Sequence, residues 1–183
     1  MPDIGTAKII IMASDGFEQV ELTTPKEQLE KAGATVHVAT PDGGEITGWY
    51  FDRWGDKIPG DLKISDVNLG DYDAMVLPGG QINPDVLRTD ETAVAKIRDF
   101  AATGKPLAAI CHAPWLLIEA DLVRGKRLTS YHSIRTDLKN AGADVVDEQV
   151  AIDGNLITSR NPDDLDAFCK AVIDAVETKA QAA

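Results

Sequence analysis

The chain is poor in cysteine, in aromatic rings, in basic residues and in long apolar runs, and each shortage excludes something. Two cysteines in 183 residues, Cys111 and Cys169, cannot form the staple framework of a small secreted domain, and they lie in unrelated contexts. The apolar run over residues 9–13 is too short to cross a bilayer, and no basic segment with a cleavage site precedes it. A cytoplasmic protein with reduced thiols is therefore expected. Lys plus Arg number 18 against 30 Asp plus Glu, a formal charge of -12 that repels phosphate backbones and anionic lipid. No nucleic-acid or membrane partner is expected. The three histidines, His37, His112 and His132, have no metal-ligand spacing, so no metal is expected. Aromatic residues make up only 5% of the chain, yet Trp49, Tyr50, Phe51 and Trp54 gather in one stretch. Two readings of them stay open: packing under a long connection, or the lining of a pocket mouth or subunit contact.

What is present fits one globular domain over residues 1–183, with 44% hydrophobic and 26% charged residues spread along the chain. Residues 7–13 read as a strand buried on both faces, followed by the turn Ser14-Asp15-Gly16. Thr24-Pro25-Lys26-Glu27 offers a helix start that Gly33 closes; whether residues 17–22 form an earlier turn of that helix is open. Residues 35–39 predict a second strand, 45–70 an irregular stretch, 72–77 a strand ending at Pro78-Gly79-Gly80, and 90–102 an amphipathic helix. Then come a short strand at Leu107–Ile110, a helix over 115–120, and a segment at 127–130. A short helix over 134–141 and a hairpin of 145–152 with 155–159 follow. A closing helix is capped by Asn161-Pro162-Asp163-Asp164, and residues 179–183 are expected to fray. Alternating strands and helices imply an α/β protein with a mostly parallel sheet covered on both faces, whose ligands sit beyond the carboxyl ends of the strands. Residues 14–18, 78–81 and 110–114 converge there.

Cys111 stands between a buried strand and a helix start, the place of the nucleophile in a nucleophile elbow. Unpaired N–H groups and the helix dipole there favour an anion, so the thiol pKa is expected to fall. His112 supplies a general acid or base if its ring turns toward the sulfur. The competing reading of Cys111 is a small buried hydrophobe. Cys169 lies in the apolar stripe of the last helix and reads as core. Glu18, just after the first strand, reads equally as a carboxylate reaching the thiol and as a first-turn helix acid. Gly79 and Gly80 allow close backbone approach and N–H groups aimed at an oxyanion.

Together Gly16-Phe17-Glu18, Leu77-Pro78-Gly79-Gly80 and Ala109-Ile110-Cys111-His112-Ala113-Pro114 resemble the DJ-1/PfpI superfamily over nearly the whole chain. Leu122-Val123-Arg124-Gly125-Lys126, Asn140-Ala141-Gly142-Ala143 and Thr158-Ser159-Arg160-Asn161-Pro162-Asp163-Asp164-Leu165 are similar to its bacterial and archaeal PfpI branch. The resemblance implies a flavodoxin-like fold and a cysteine in a strained backbone conformation. By it Cys111 is the nucleophile, Glu18 the carboxyl bonded to it, and His112 the proton carrier. The N–H groups of Gly80 and His112 would be the oxyanion donors, and Asp85, reaching over from a neighbouring subunit, would orient His112. Trp115 and His132 depart from common family residues; Trp115 is expected to narrow the pocket and His132 to add a second proton carrier.

The resemblance implies a cofactor-free stress-protective enzyme that acts on reactive dicarbonyls or their early protein adducts, in the manner of a glyoxalase or deglycase. The alternatives are an intracellular cysteine peptidase and a redox-sensing or chaperone-like protein with an oxidisable cysteine. A homodimer or higher homo-oligomer is expected, with a small aldehyde or a protein or peptide as substrate.

Overall fold

Along β1 (Lys8–Met12) the side chains alternate between two cores: Ile9 and Ile11 face one, Ile10 and Met12 the other, and all four are fully buried. A strand apolar on both sides forces helices onto both faces of its sheet. The computed structural model, which describes residues 4–181, shows that arrangement. After β1 come β2 (Phe17–Glu18), α1 (Gln19–Lys31), β3 (Thr35–Thr40), β4 (Ile46–Tyr50), β5 (Arg53–Ile58), β6 (Leu62–Lys63) and β7 (Ala74–Leu77). Then follow α2 (Ile82–Leu87), α3 (Glu91–Ala102), β8 (Leu107–Ile110), α4 (Pro114–Glu119), β9 (Arg127–Leu128) and α5 (Arg135–Asn140). The chain continues through β10 (Asp144–Val145), β11 (Val150–Asp153), β12 (Leu156–Ser159) and α6 (Leu165–Gln181).

The main sheet has seven strands in the order β11-β12-β8-β7-β1-β3-β6, parallel throughout except for the edge strand β11. One face is covered by Leu22 and Leu29 of α1 with Phe168, Cys169 and Val172 of α6. The other is covered by Leu87 of α2, Val94, Ile97 and Phe100 of α3, Leu116 and Leu117 of α4, and Leu138 of α5. This is the mostly parallel, doubly covered α/β architecture that the alternating pattern predicts, and the flavodoxin-like fold that the resemblance implies. No helix among the described residues is long and apolar enough to cross a membrane.

Four expectations change. The first helix begins at Gln19 rather than at Thr24, so Pro25 lies inside it and is buried. Proline has no N–H, which leaves the carbonyl of Glu21, four residues earlier, without its helical donor. Residues 45–70 are more regular than their pattern predicts: β4 and β5 form an antiparallel hairpin that joins β2 in a separate three-stranded sheet. The hairpin is pinned by an edge-on pair of Trp49 and Trp54, with centroids 5.4 Å apart. Its periodicity is hidden because β5 buries none of its residues. The 145–159 hairpin is shorter than expected, starting at Val150, while Val145 pairs with Leu128 of β9 instead. Finally, α6 runs on through Gln181, and the remainder of the expected fraying segment lies outside the described residues.

Candidate active site

Strand β8 is buried over all four residues, and the chain leaves it at Cys111 with φ 63°, in the left-handed region. A non-glycine residue there costs on the order of 1–3 kcal/mol and persists only where its surroundings enforce it. Bonds on both sides do so: the Cys111 N–H donates to Ser159 O at 3.1 Å, and its carbonyl accepts from Tyr131 N–H at 2.9 Å. The turn ends at Pro114 in the first turn of α4, a position where a missing N–H costs nothing. The thiol is presented at the carboxyl end of the sheet, with only 5% of the residue exposed.

The carboxyl that meets this thiol is Glu21, a correction to the assignment of Glu18. Glu18 is the N-cap of α1 and stays half-buried at the rim of the site, whereas Glu21, one helical turn further, points inward and is fully buried. Glu18 has extended backbone at the N-cap and lies outside the helix proper, whereas Glu21, in the first turn, is turned to the end of β7. Glu21 Oε2 accepts the Gly79 N–H at 2.9 Å, and its carboxyl is the hydrogen-bonding neighbour of the Cys111 side chain. A Cβ at Gly79 would lie 2.6 Å from Glu21 Oε2 and 2.7 Å from Cys111 Cβ, so only glycine permits this approach.

His112 turns toward the sulfur, with Nδ1 3.2 Å from Cys111 Sγ. Its ring stacks on Tyr131 at 4.7 Å and meets the edge of Trp115 at 5.3 Å. Its other nitrogen, Nε2, lies 3.1 Å from Ser133 Oγ, a residue the sequence reading did not single out. Asp85 sits exposed in the first turn of α2, and within the chain the Nε2 of His112 is met by Ser133. Trp115 and His132 do not line the cavity. Trp115 is drawn away by the bond from its Nε1 to Asp137 Oδ2 at 2.8 Å and by Arg88 stacked over it, and His132 is exposed against Tyr131.

Electrostatics here are those of a pair. Burial pushes the Glu21 carboxyl up to about 8, with the charge of Glu18 adding to the effect and the Gly79 N–H opposing it. Burial also pushes the Cys111 thiol up, as does the charge of Glu21, while the N–H groups of Gly80 and His112 pull it down. The expected simple fall of the thiol pKa is thus corrected: desolvation outweighs the donors when each group is taken alone. Two buried neighbours cannot both ionise, so the pair carries at most one negative charge. A thiolate would receive the N–H groups of Gly80 and His112, while a carboxylate would keep the Gly79 N–H and the Cys111 S–H but leave Glu21 Oε1 buried without a partner. His112 is held down to about 4, first by burial and then by the charge of His132, and is neutral at pH 7.

These groups open on a cavity of about 460 Å³ lined by Glu18, Glu21, Cys111, His112 and Gly80, with Trp49, Phe51 and Tyr131 as its aromatic walls. Of the two readings of the aromatic stretch, Trp49 and Phe51 fit the pocket mouth, and Trp54 serves hairpin packing. A larger apolar groove of about 650 Å³ runs between α6 and the β11–β12 hairpin; among the described residues that line it, the charged side chains are Lys170 and Asp174, which pair with each other. Size does not mark the reactive site; the thiol does. Among the described residues, no three His, Cys, Asp or Glu side chains gather as a metal site.

An α/β sheet carrying a strained cysteine elbow, with a buried carboxyl and an imidazole beside the same sulfur, defines the structural class. The chain belongs to the DJ-1/PfpI family, whose family model matches residues 7–175. It is 44% identical over 162 residues to a Bacillus subtilis protein named "Putative cysteine protease YraA", covering 88% of this chain and 93% of that one. It is 40% identical over 166 residues to "Deglycase PfpI" of Pyrococcus furiosus, covering 91% and 97%. Among solved structures, Drosophila melanogaster DJ-1beta superposes with a TM-score of 0.84 at 29% identity, covering 97% of each chain.

Proposed function

We propose that this protein is a cysteine-dependent enzyme that acts on reactive dicarbonyls or their early protein adducts, as a glyoxalase or deglycase-like hydrolase. The observation that carries the reading is the Cys111 sulfur held between Glu21 and His112 Nδ1 at the floor of a small cavity. The sulfur adds to an aldehyde carbon, and the former carbonyl oxygen takes up the negative charge. The N–H groups of Gly80 and His112, which converge on the sulfur, are placed to receive that oxyanion. Glu21, protonated at neutral pH, and neutral His112 then move protons between the carbons and oxygen of the bound hemithioacetal. These transfers turn the hemithioacetal into a Cys111 thioester of lactate, the aldehyde carbon being oxidised as the ketone carbon is reduced, and water cleaves its C–S bond to release lactate and the thiol, so the reaction balances without an external oxidant.

The cavity supports a small substrate. Its volume lies within the usual range of about 300–1,000 Å³ for small-molecule sites. Among the described residues that line it none is Lys or Arg, and Glu18 stands at its rim, which favours neutral or cationic carbonyl compounds over carboxylates. The names of relatives support two activities: deglycase for the archaeal proteins and cysteine protease for the Bacillus protein. Peptidase action is the second reading.

The test is turnover of methylglyoxal with lactate formation by purified wild type and by Cys111→Ser. Repeated lactate production by wild type alone upholds the proposal. Wild type that makes no lactate but cleaves unfolded protein, with cleavage lost in Cys111→Ser, replaces it with the peptidase reading.

A further inference from the structure

Ser133 sits in the 3-10 turn His132–Ile134, and that turn is tied directly to the elbow. Tyr131 N–H donates to the Cys111 carbonyl at 2.9 Å, and Ile134 N–H donates to the Tyr131 carbonyl at 3.2 Å. Behind the turn, α5 is anchored by Arg135, which bonds Asp147 through both terminal nitrogens, at 3.0 and 2.8 Å. The Ser133 hydroxyl is thus delivered to His112 Nε2 by the same backbone that strains Cys111.

We propose that Ser133 is the positioning residue for His112: its hydroxyl at Nε2, 3.1 Å away, holds the imidazole against Cys111 and accommodates either neutral tautomer. A hydroxyl both donates and accepts. When the sulfur is a thiolate, His112 donates from Nδ1 to the sulfur while Nε2 accepts from Ser133. When the sulfur carries its proton, Nδ1 accepts and Nε2–H donates to Ser133. A carboxylate at Nε2 would permit only the second arrangement and would draw the ring toward the imidazolium. The proposal uses the Cys111–His112 pair of the functional reading, but it holds for any chemistry at that thiol.

The test reads the pair and not turnover. Site-resolved alkylation of Cys111 by iodoacetamide is followed across pH, together with the ring nitrogen shifts of His112 by NMR, in wild type, Ser133→Ala, Ser133→Thr and Asp85→Asn. The titratable groups facing His112 are Cys111 with Glu21 behind it, Tyr131 and His132; Asp137 and Arg88 act on it through Trp115. Their own variants are left out of the series so that the profile keeps its other contributions. Ser133→Ala is expected to shift the His112 ring nitrogens and change the alkylation rate about two- to tenfold, the size of one neutral hydrogen bond. Ser133→Thr is expected to restore both. The proposal is overturned if Ser133→Ala leaves shifts and profile as in wild type, or if Asp85→Asn moves them and Ser133→Ala does not, which would assign Nε2 to an acid from a neighbouring subunit. Because alkylation needs no substrate, loss of the dicarbonyl activity would leave this result standing.

Discussion

The molecule contains two buried cysteines with opposite meanings. Cys169 is 1% exposed and Cys111 5%, and burial pushes both thiols up, that of Cys169 to about 12. Accessibility therefore does not separate them. The backbone does: Cys169 lies within helix α6 on its apolar face, whereas Cys111 sits at φ 63° with the N–H groups of Gly80 and His112 facing its sulfur. A buried thiol becomes a nucleophile when its anion has donors waiting and a partner to carry the proton.

The sharpest way to break the comparison is to exchange the cysteines' fates one at a time. On the proposed function, Cys111→Ser is expected to lower turnover by a factor of about 1,000 or more, since that reading makes its sulfur the nucleophile. Cys169→Ala is expected to leave kcat within about twofold. Comparable losses from both, measured on folded protein, would mean that the elbow geometry is not what distinguishes them.

The two acids of α1 repeat the contrast at a smaller scale. Glu21→Gln removes the proton partner of the sulfur and is expected to cut kcat about 100-fold, the scale of one general acid or base. Glu18→Gln, at the rim, is expected to change kcat by less than about threefold and to act on KM for cationic substrates. Equal effects would return Glu18 to the role that the sequence suggested for it.

That exchange shows what could be read in advance. The parallel sheet was legible because residues 9–12 are apolar on both faces, and the elbow because Leu107–Ile110 runs into Cys111-His112-Ala113-Pro114. Glu21 was not, because a carboxylate inside an apolar helix face contradicts the pattern by which such faces are recognised, and Pro25 suggested a helix that starts after it. Ser133 was silent for another reason. It lies 21 residues from His112, and only the bond between Tyr131 N–H and the Cys111 carbonyl brings its turn to the elbow. The β4–β5 hairpin stayed hidden because a strand that buries no side chain leaves no alternation to count.

Glu21 also makes a prediction about stability. Its carboxyl is raised from an ordinary value of 4.5 to about 8, so the folded protein holds this proton more tightly than the unfolded chain does. The associated stability is fully present below about pH 4.5 and is lost as pH rises through 8, so the contribution declines across neutral pH. In a Cys111→Ala background, where the thiol no longer shares the charge, Glu21→Gln should abolish this decline. It should make the protein a few kcal/mol more stable at pH 9 than its Glu21 parent, while the two are alike near pH 5. Urea unfolding at the two pH values measures this, and parallel curves with no crossover would show that the carboxyl ionises freely in the folded state.

The smallest effect belongs to the inert cysteine. Cys169 packs in the core formed with Phe168, Val172 and Leu165, and replacing it by alanine deletes one buried sulfur without exposing a polar group. A loss of about 1 kcal/mol is expected, at the low end for a large-to-small change because little volume is removed. Cys169→Ser should cost more, because its hydroxyl would be buried on an apolar helix face, where burial without a compensating partner is penalised. At Cys111 the order should reverse. The N–H groups of Gly80 and His112 and the Glu21 carboxyl can receive a serine oxygen, so Cys111→Ser should keep stability better than Cys111→Val. Thermal denaturation of the four variants at one pH decides it: serine favoured at position 111 and disfavoured at position 169 is the signature of a polar socket beside an apolar one, and the same order at both would erase the distinction.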